Sequence, residues 1–185
     1  MLITHEREKL IHSIIYFVRN TKYCGKVKLF KLLYFFDFEH FKQTGRSVTG
    51  MNYSAWKMGP VPVDLFEEID RPEPDMAESI RFEEKAYKNG ERMMLVMTPQ
   101  IEFSDRHFTK REIRLLNSLS SEFRETLADE MIEATHLENM PWDKVYNKEG
   151  RKRAHIPYEL ALRPDDADAV NAVARERKEL LEKLA

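Results

Sequence analysis

Lys26-Val27-Lys28-Leu29-Phe30-Lys31-Leu32-Leu33-Tyr34-Phe35-Phe36-Asp37-Phe38-Glu39-His40-Phe41-Lys42-Gln43-Thr44 is the stretch whose reading decides the fold. Leu29, Phe30, Leu32, Leu33, Phe36 and Phe41 cover most of a helical circumference. A helix apolar on nearly all sides belongs at the centre of a core. The spacing therefore predicts a central helix over 26–44, ended by Gly45 in the left-handed backbone that glycine tolerates.

The neighbours arrange around it. Thr4 is a plausible N-cap, and Glu6 and Glu8 suit the positive end of a helix. Leu10, Ile11, Ile14, Ile15 and Val18 recur at helical spacing, which predicts an amphipathic helix over 5–20. Ser47 to Lys57, with Val48, Tyr53, Ala55 and Trp56 around Gly50, reads as a short hairpin or irregular β segment. Gly59-Pro60-Val61-Pro62 should stop it. Pro62 can then open a short helix to Ile69. Arg71-Pro72-Glu73-Pro74-Asp75 reads as a loop. Asn89-Gly90, between Ile80–Tyr87 and Met93–Met97, signals an antiparallel hairpin.

Farther on, Thr109-Lys110-Arg111-Glu112 is a capping box opening a helix with Ile113, Leu116 and Phe123 inward. Another helix should run from about Thr126 to Leu137, with a further turn at Pro141-Trp142. Residues 150–157 read as a basic loop. Asp165 or Asp166 should cap a last helix carrying Val170, Val173, Arg177, Leu180 and Leu184. The expectation is an α+β, mainly helical single domain with a small antiparallel β hairpin or sheet. Residues 1–164 form the domain, and 165–185 a C-terminal helix that docks on it or on a partner.

Charge narrows the functional classes. Lys and Arg number 30 against 32 Asp and Glu, a net charge of -2 over 185 residues. Duplex-DNA binding by phosphate neutralisation usually needs a basic excess. The distribution is uneven: residues 1–31 hold seven Lys/Arg and two Glu, whereas 64–91 hold ten Asp/Glu and four Lys/Arg. A two-signed surface suits steered protein–protein encounter. A single cysteine, Cys24, excludes an intrachain disulfide and a thiolate zinc cluster. With neither a leader-like start nor a membrane-length apolar run, the cytoplasm is the expected compartment.

Catalytic chemistry finds little support. The six histidines include no His-x-x-x-His pair. Asp37 and His40 lie one turn apart, and a surface or partner-facing polar pair is the favoured reading. Cys24 has Lys22, Lys26 and Lys28 nearby, which would lower a thiol pKa. Gly-rich phosphate loops and Gly-x-Ser-x-Gly elbows are absent from the sequence. No enzyme activity, cofactor or metal is expected.

Three segments are more specific. One is Lys31-Leu32-Leu33-Tyr34-Phe35-Phe36-Asp37 followed by Thr44-Gly45-Arg46. The second is Ala55-Trp56-Lys57-Met58-Gly59-Pro60-Val61-Pro62. The third is Thr135-His136 followed by Pro141-Trp142. In that order and register they resemble the Panacea domain of SocA-like antitoxins, across roughly residues 10–162.

The resemblance implies an antitoxin that neutralises a protein toxin, encoded by an adjacent gene, through direct binding. It also implies an alternative, an adaptor delivering the toxin to a protease, while the basic N-terminal stretch and Arg151-Lys152-Arg153 with His155 leave open an autoregulator on operator DNA. Lys31, Tyr34, Asp37, Gly45, Trp56, Lys57, Gly59, Pro60, Pro62, His136, Pro141 and Trp142 carry the family pattern, as fold-builders or partner contacts. Trp56 should pack the hairpin on the central helix. His136 and Trp142 should lock a helix junction, with the imidazole hydrogen-bonded to backbone. Toxin contact is expected on variable exposed segments, with Asp64, Glu67, Glu68, Arg177 and Leu180 as candidates.

Overall fold

The computed structural model describes residues 4–87, 90, 92–137 and 139–184. Helices α1 (Glu6–Asn20) and α2 (Lys26–Thr44) come first, then strands β1 (Tyr53–Trp56) and β2 (Gly59–Pro62). Short helices α3 (Val63–Glu68) and α4 (Pro74–Ser79) lead into β3 (Ile80–Tyr87) and β4 (Arg92–Pro99). Helices α5 (Lys110–Glu122), α6 (Ala128–Thr135) and α7 (Pro141–Asp143) follow. A π-type turn over Lys144–Lys148, a 3-10 turn over Tyr158–Ala161 and the long α8 (Pro164–Leu184) complete the chain. The architecture is mainly helical α+β with two separate two-stranded antiparallel sheets.

Helix α2 is the axis. Leu29, Leu32, Leu33 and Phe36 are fully buried, and α2 touches α1, α5, α6, α8 and β2. Such all-round enclosure follows from apolar residues on every face. Gly45 ends the helix at φ 69°, and its missing side chain matters twice. A Cβ there would lie 2.9 Å from the carbonyl oxygen of Val170 on α8.

The hairpin differs from the expected one. Gly59-Pro60-Val61-Pro62 does not end the β segment; it is the returning strand, with Trp56 paired to Gly59 and Tyr53 to Pro62. The turn is Lys57-Met58, not the region of Gly50. Two prolines are tolerable because β2 is an outer strand. The other edge of β1 is paired: Ala55 donates to the Ala154 carbonyl at 2.8 Å, and the amides of Arg153 and Ile156 donate to Ala55 and Tyr53 at 2.7 and 2.8 Å. The basic 150–157 segment is thus zipped onto the hairpin instead of looping free.

The segment read as a loop over 71–75 is shorter, because Pro74 starts α4 from its first turn, where a missing N–H costs nothing. The β3–β4 hairpin forms from Ile80 opposite Pro99 to Tyr87 opposite Arg92. Lys88 and Asn89 of its turn signal lie outside the described residues. The Thr109 capping box closes: Glu112 donates its amide to Thr109 Oγ1 at 3.2 Å, and its carboxylate accepts from the Thr109 amide at 2.6 Å. The Asp165 and Asp166 side chains lie outside the described residues. Among the described residues, no helix is long and apolar enough to cross a membrane.

Candidate functional site

Two lysines one turn apart on α2 are both buried, and they differ in what they touch. Lys28 spends all three ammonium protons on backbone carbonyls: Lys22 at 2.7 Å, Thr126 at 2.7 Å and Arg124 at 3.2 Å. It ties the α1–α2 turn to the α5–α6 connection. Lys31 has one acceptor, the Pro60 carbonyl at 2.8 Å. Burial without compensating partners disfavours its charge and pushes its pKa down to about 7.

The backbone makes room for that amine. Gly59 stands at φ 95°, and a Cβ there would lie 2.9 Å from Lys31 Nζ and 2.7 Å from Thr135 Oγ1. Glycine is required both for the turn and for this approach. Beside Thr135, the His136 ring stacks on Trp142 with centroids 3.7 Å apart, and Trp142 stacks on Tyr146 at 4.6 Å. Trp142 Nε1 donates to the Trp56 carbonyl at 2.8 Å, joining this stack to β1. The expected imidazole–backbone bond does not form among the described residues; the main chain caps the helix in its place. The His136 amide donates to the Ile132 and Glu133 carbonyls, but its buried Nε2 has no partner among the described residues. Desolvation, then the Lys31 charge, lowers the His136 pKa.

On the outer side of Lys31 a hollow of about 450 Å³ opens between α2, the β1–β2 hairpin and the 144–153 segment. Val27, Phe30, Val61 and Phe66 give it apolar walls, with Trp56 and Met58 at the hairpin end. Trp56 packs on Phe66 at 5.1 Å. Lys26, Lys57, Lys152 and Arg153 stand around it, and no carboxylate lines it among the described residues. Three of these cations cover aromatic faces: Lys26 over Phe66 at 3.9 Å, Arg153 over Trp56 at 5.0 Å and Lys152 over Tyr146 at 5.9 Å. Arg153 holds a left-handed backbone, φ 62°, an uncommon state for a side-chain-bearing residue.

The remaining pattern residues sit inside. Tyr34 is buried against Phe38 and Tyr53, with ring centroids at 4.2 and 5.6 Å. Pro60, Pro62 and Pro141 are buried as well. Asp37 and His40 are not a surface pair; both are buried, because they lie on the faces of α2 covered by the 45–53 segment. Asp37 accepts four hydrogen bonds: the Val48 and Thr49 amides at 2.8 Å each, Thr49 Oγ1 at 2.5 Å and Tyr53 OH at 2.8 Å. Even so, desolvation raises its pKa. His40 Nδ1 lies 2.7 Å from the Arg46 carbonyl oxygen. Both side chains anchor the 45–53 segment to α2. The Cys24 thiol is pushed up to about 11 by its packed surroundings, which outweigh the nearby Lys28.

The basic and acidic stretches face each other within the molecule. Arg7 donates to Glu68 at 2.7 Å and to Asp75 at 2.8 Å. Lys26 pairs with Asp70 at 3.8 Å, and Lys22 with Glu125 at 2.7 Å. Of the acidic candidates, Asp64 and Glu67 are exposed, whereas Glu68 is engaged by Arg7. Leu180 is exposed, and the Arg177 side chain lies outside the described residues. Lys152, Tyr146 and Phe66, which complete the hollow, had no sequence signal as a group. The Arg151-Lys152-Arg153 run was visible, but its place beside Trp56 follows only from the pairing with β1.

Among the described residues, one group of side chains could approach a metal: His5, Glu8 and His107 bring ligand atoms within 4.8 Å of one another. The two imidazoles stack 4.0 Å apart at 21°. Nearly parallel rings direct their lone pairs side by side, which does not converge them on one ion.

No curated protein and no solved structure matches the chain. Residues 29–143 match the family model described as Antitoxin SocA-like, Panacea domain. The match covers more than half of the 185 residues and includes most of the central helix, the hairpin and the His136–Trp142 stack. The chain therefore belongs to the SocA-like Panacea-domain antitoxin family.

Proposed function

We propose that the protein neutralises a cognate protein toxin, the product of an adjacent gene, by binding it directly in the cytoplasm. The family match over residues 29–143 carries this reading. The placement of the family-pattern side chains supports it. Tyr34, Asp37, Gly45, Gly59 and Trp142 build the interior and its turns, so most of the recognisable residues make a scaffold, with Lys57 exposed at the hairpin turn. Specificity then belongs to exposed positions. The side chains open to an acid–base role favour binding over catalysis: Asp37 is saturated by four donors, His40 is engaged with a backbone carbonyl, and His136 is stacked on Trp142.

The test is coexpression with the adjacent gene product. Copurification of a stable complex, with rescue of growth from that product, is expected. Absence of both complex and rescue overturns the reading. An adaptor role predicts toxin loss only when this protein and a protease are both present, so equal toxin half-life with and without it separates the two. An operator-binding role predicts retention of the upstream DNA in a gel shift at moderate salt. The internal pairing of the basic N-terminal stretch with Glu68, Asp70 and Asp75 weighs against that outcome.

A further inference from the structure

We infer that the cation-edged hollow over Lys31 is the seat of an acidic segment of the partner protein, one bulky apolar side chain entering it with carboxylates on either side. This inference rests on the toxin-binding reading above and names the surface that performs it.

Shape and apolar walls come first. A volume of about 450 Å³ is within the range of clefts that enclose compact ligands, and interface anchors sit in such desolvated pockets. The walls of Val27, Phe30, Val61 and Phe66 offer contact but little hydrogen bonding. They select an apolar group for the interior. Met58, at the tip of the hairpin, is 52% exposed. A large, flexible apolar side chain so placed can close over an incoming one.

Charge then selects the flanks. Lys57, Lys152 and Arg153 have no ion-pair partner among the described residues. Arg7, Lys22 and Lys26 of the N-terminal stretch, by contrast, are matched internally, by Glu68, Asp75, Glu125 and Asp70. With Lys26 beside them, Lys57, Lys152 and Arg153 give this mouth a local positive field that no carboxylate in its described lining offsets. Beneath it, Lys31 has donors to spare and a pKa near 7. A carboxylate at the mouth would draw that amine into its charged form.

The mouth is also held rigidly. Arg153 keeps its left-handed backbone because its amide is bonded to Ala55 at 2.7 Å. Trp142 fixes the Trp56 carbonyl from the other side. Strain maintained by surrounding bonds is a frequent companion of binding sites. It keeps the guanidinium over the Trp56 ring in the absence of a partner.

An acidic protein segment fits better than a single-stranded nucleic acid. Nucleobases bind by stacking on open aromatic faces. Here Phe66, Trp56 and Tyr146 each already carry a cation over one face. What remains is an apolar interior and charged heads, which suit an aliphatic or aromatic side chain between carboxylates.

The experiment measures binding of the adjacent-gene toxin to the full-length protein and to the exposed-site variants Lys57→Glu with Lys152→Glu, and Met58→Asp. Asp64→Lys with Glu67→Lys, on the acidic face, serves as comparison. Thermal melting establishes that each variant is folded. The expected result is at least tenfold weaker binding for each hollow variant, loss of growth rescue, and little change for the acidic-face variant. Equal affinity of wild type and hollow variants overturns the inference while leaving the antitoxin reading intact. No binding by the wild type overturns both. Displacement of the toxin by a short oligodeoxythymidylate, with no displacement by an Asp/Glu-flanked tryptophan peptide, would assign the hollow to nucleic acid and overturn the inference.

Discussion

Lys31 and Gly59 share one space: the ammonium nitrogen lies 2.9 Å from where a Cβ on residue 59 would stand. The glycine at φ 95° and the amine donating to Pro60 are consequences of the same turn. The hairpin can approach α2 only where it has no side chain, and the lysine reaches the hairpin backbone only through that gap.

Gly59→Ala should therefore do more than strain the turn. The positive φ alone costs about 1–3 kcal/mol for a residue with a Cβ, and the methyl must also displace Lys31 and Thr135. A loss of stability of about 2–4 kcal/mol is expected by chemical denaturation, a drop of several degrees in Tm for a chain of this size. A change below about 0.5 kcal/mol would show that the hairpin is free to shift.

Lys28→Met and Lys31→Met should behave oppositely at mildly acid pH. Lys28→Met leaves three carbonyls without their donor and should cost about 3 kcal/mol or more. Lys31 is the reverse case. Its folded pKa of about 7 is depressed from 10.5, so below pH 7 the folded state bears the full cost of the buried charge, roughly 5 kcal/mol from the shift. Between about 7 and 10.5 the unfolded chain binds more protons than the folded one, and stability rises with pH. Removing the amine orphans the Pro60 carbonyl, at about 1–3 kcal/mol. The desolvation cost wins at pH 6, so Lys31→Met should be the more stable protein there. The advantage should vanish or reverse near pH 10. Urea titrations of wild type and variant at the two pH values decide it.

Asp37→Ala should unfold the 45–53 segment before the rest. Two amides and two hydroxyls lose their acceptor at once, at about 1–3 kcal/mol for each buried donor left unsatisfied. Hydrogen exchange at Val48 and Thr49 should accelerate the most.

Gly45→Val should loosen α8. The added side chain would press on the Val170 carbonyl and on Ala174 and would strain a φ of 69°. Limited proteolysis should cut at 162–168 faster in the variant, with the fragment up to about 160 left intact. Unchanged cutting would show that α8 does not depend on this contact.

Much was readable from residue order because it depends on local physics. The all-round apolar face of 26–44 predicts the central helix. The Thr109–Glu112 spacing predicts its capping box, and Gly45 the left-handed stop. The strand at Gly59–Pro62 is hidden from residue order because two prolines normally end pairing; they are accommodated here because β2 is an outer strand, while β1 takes its second partner from residues 153–156, about a hundred positions away. The same distance hid the hollow. Lys31 and Trp56 stood out as parts of a pattern, and Arg153 as part of a basic run, with nothing in their spacing to join them.

Residue order alone determined the class of fold, the long helices and the membership that the three motif segments announce, since helix periodicity, caps and turns are set by neighbours in the chain. The tertiary structure decided which charges are consumed and which remain. Arg7 is matched by Glu68 and Asp75, Lys28 by three carbonyls, and Lys31 by only one. Such balances depend on burial and on partners brought from distant positions, because the energy of a charge is fixed by what surrounds it in space.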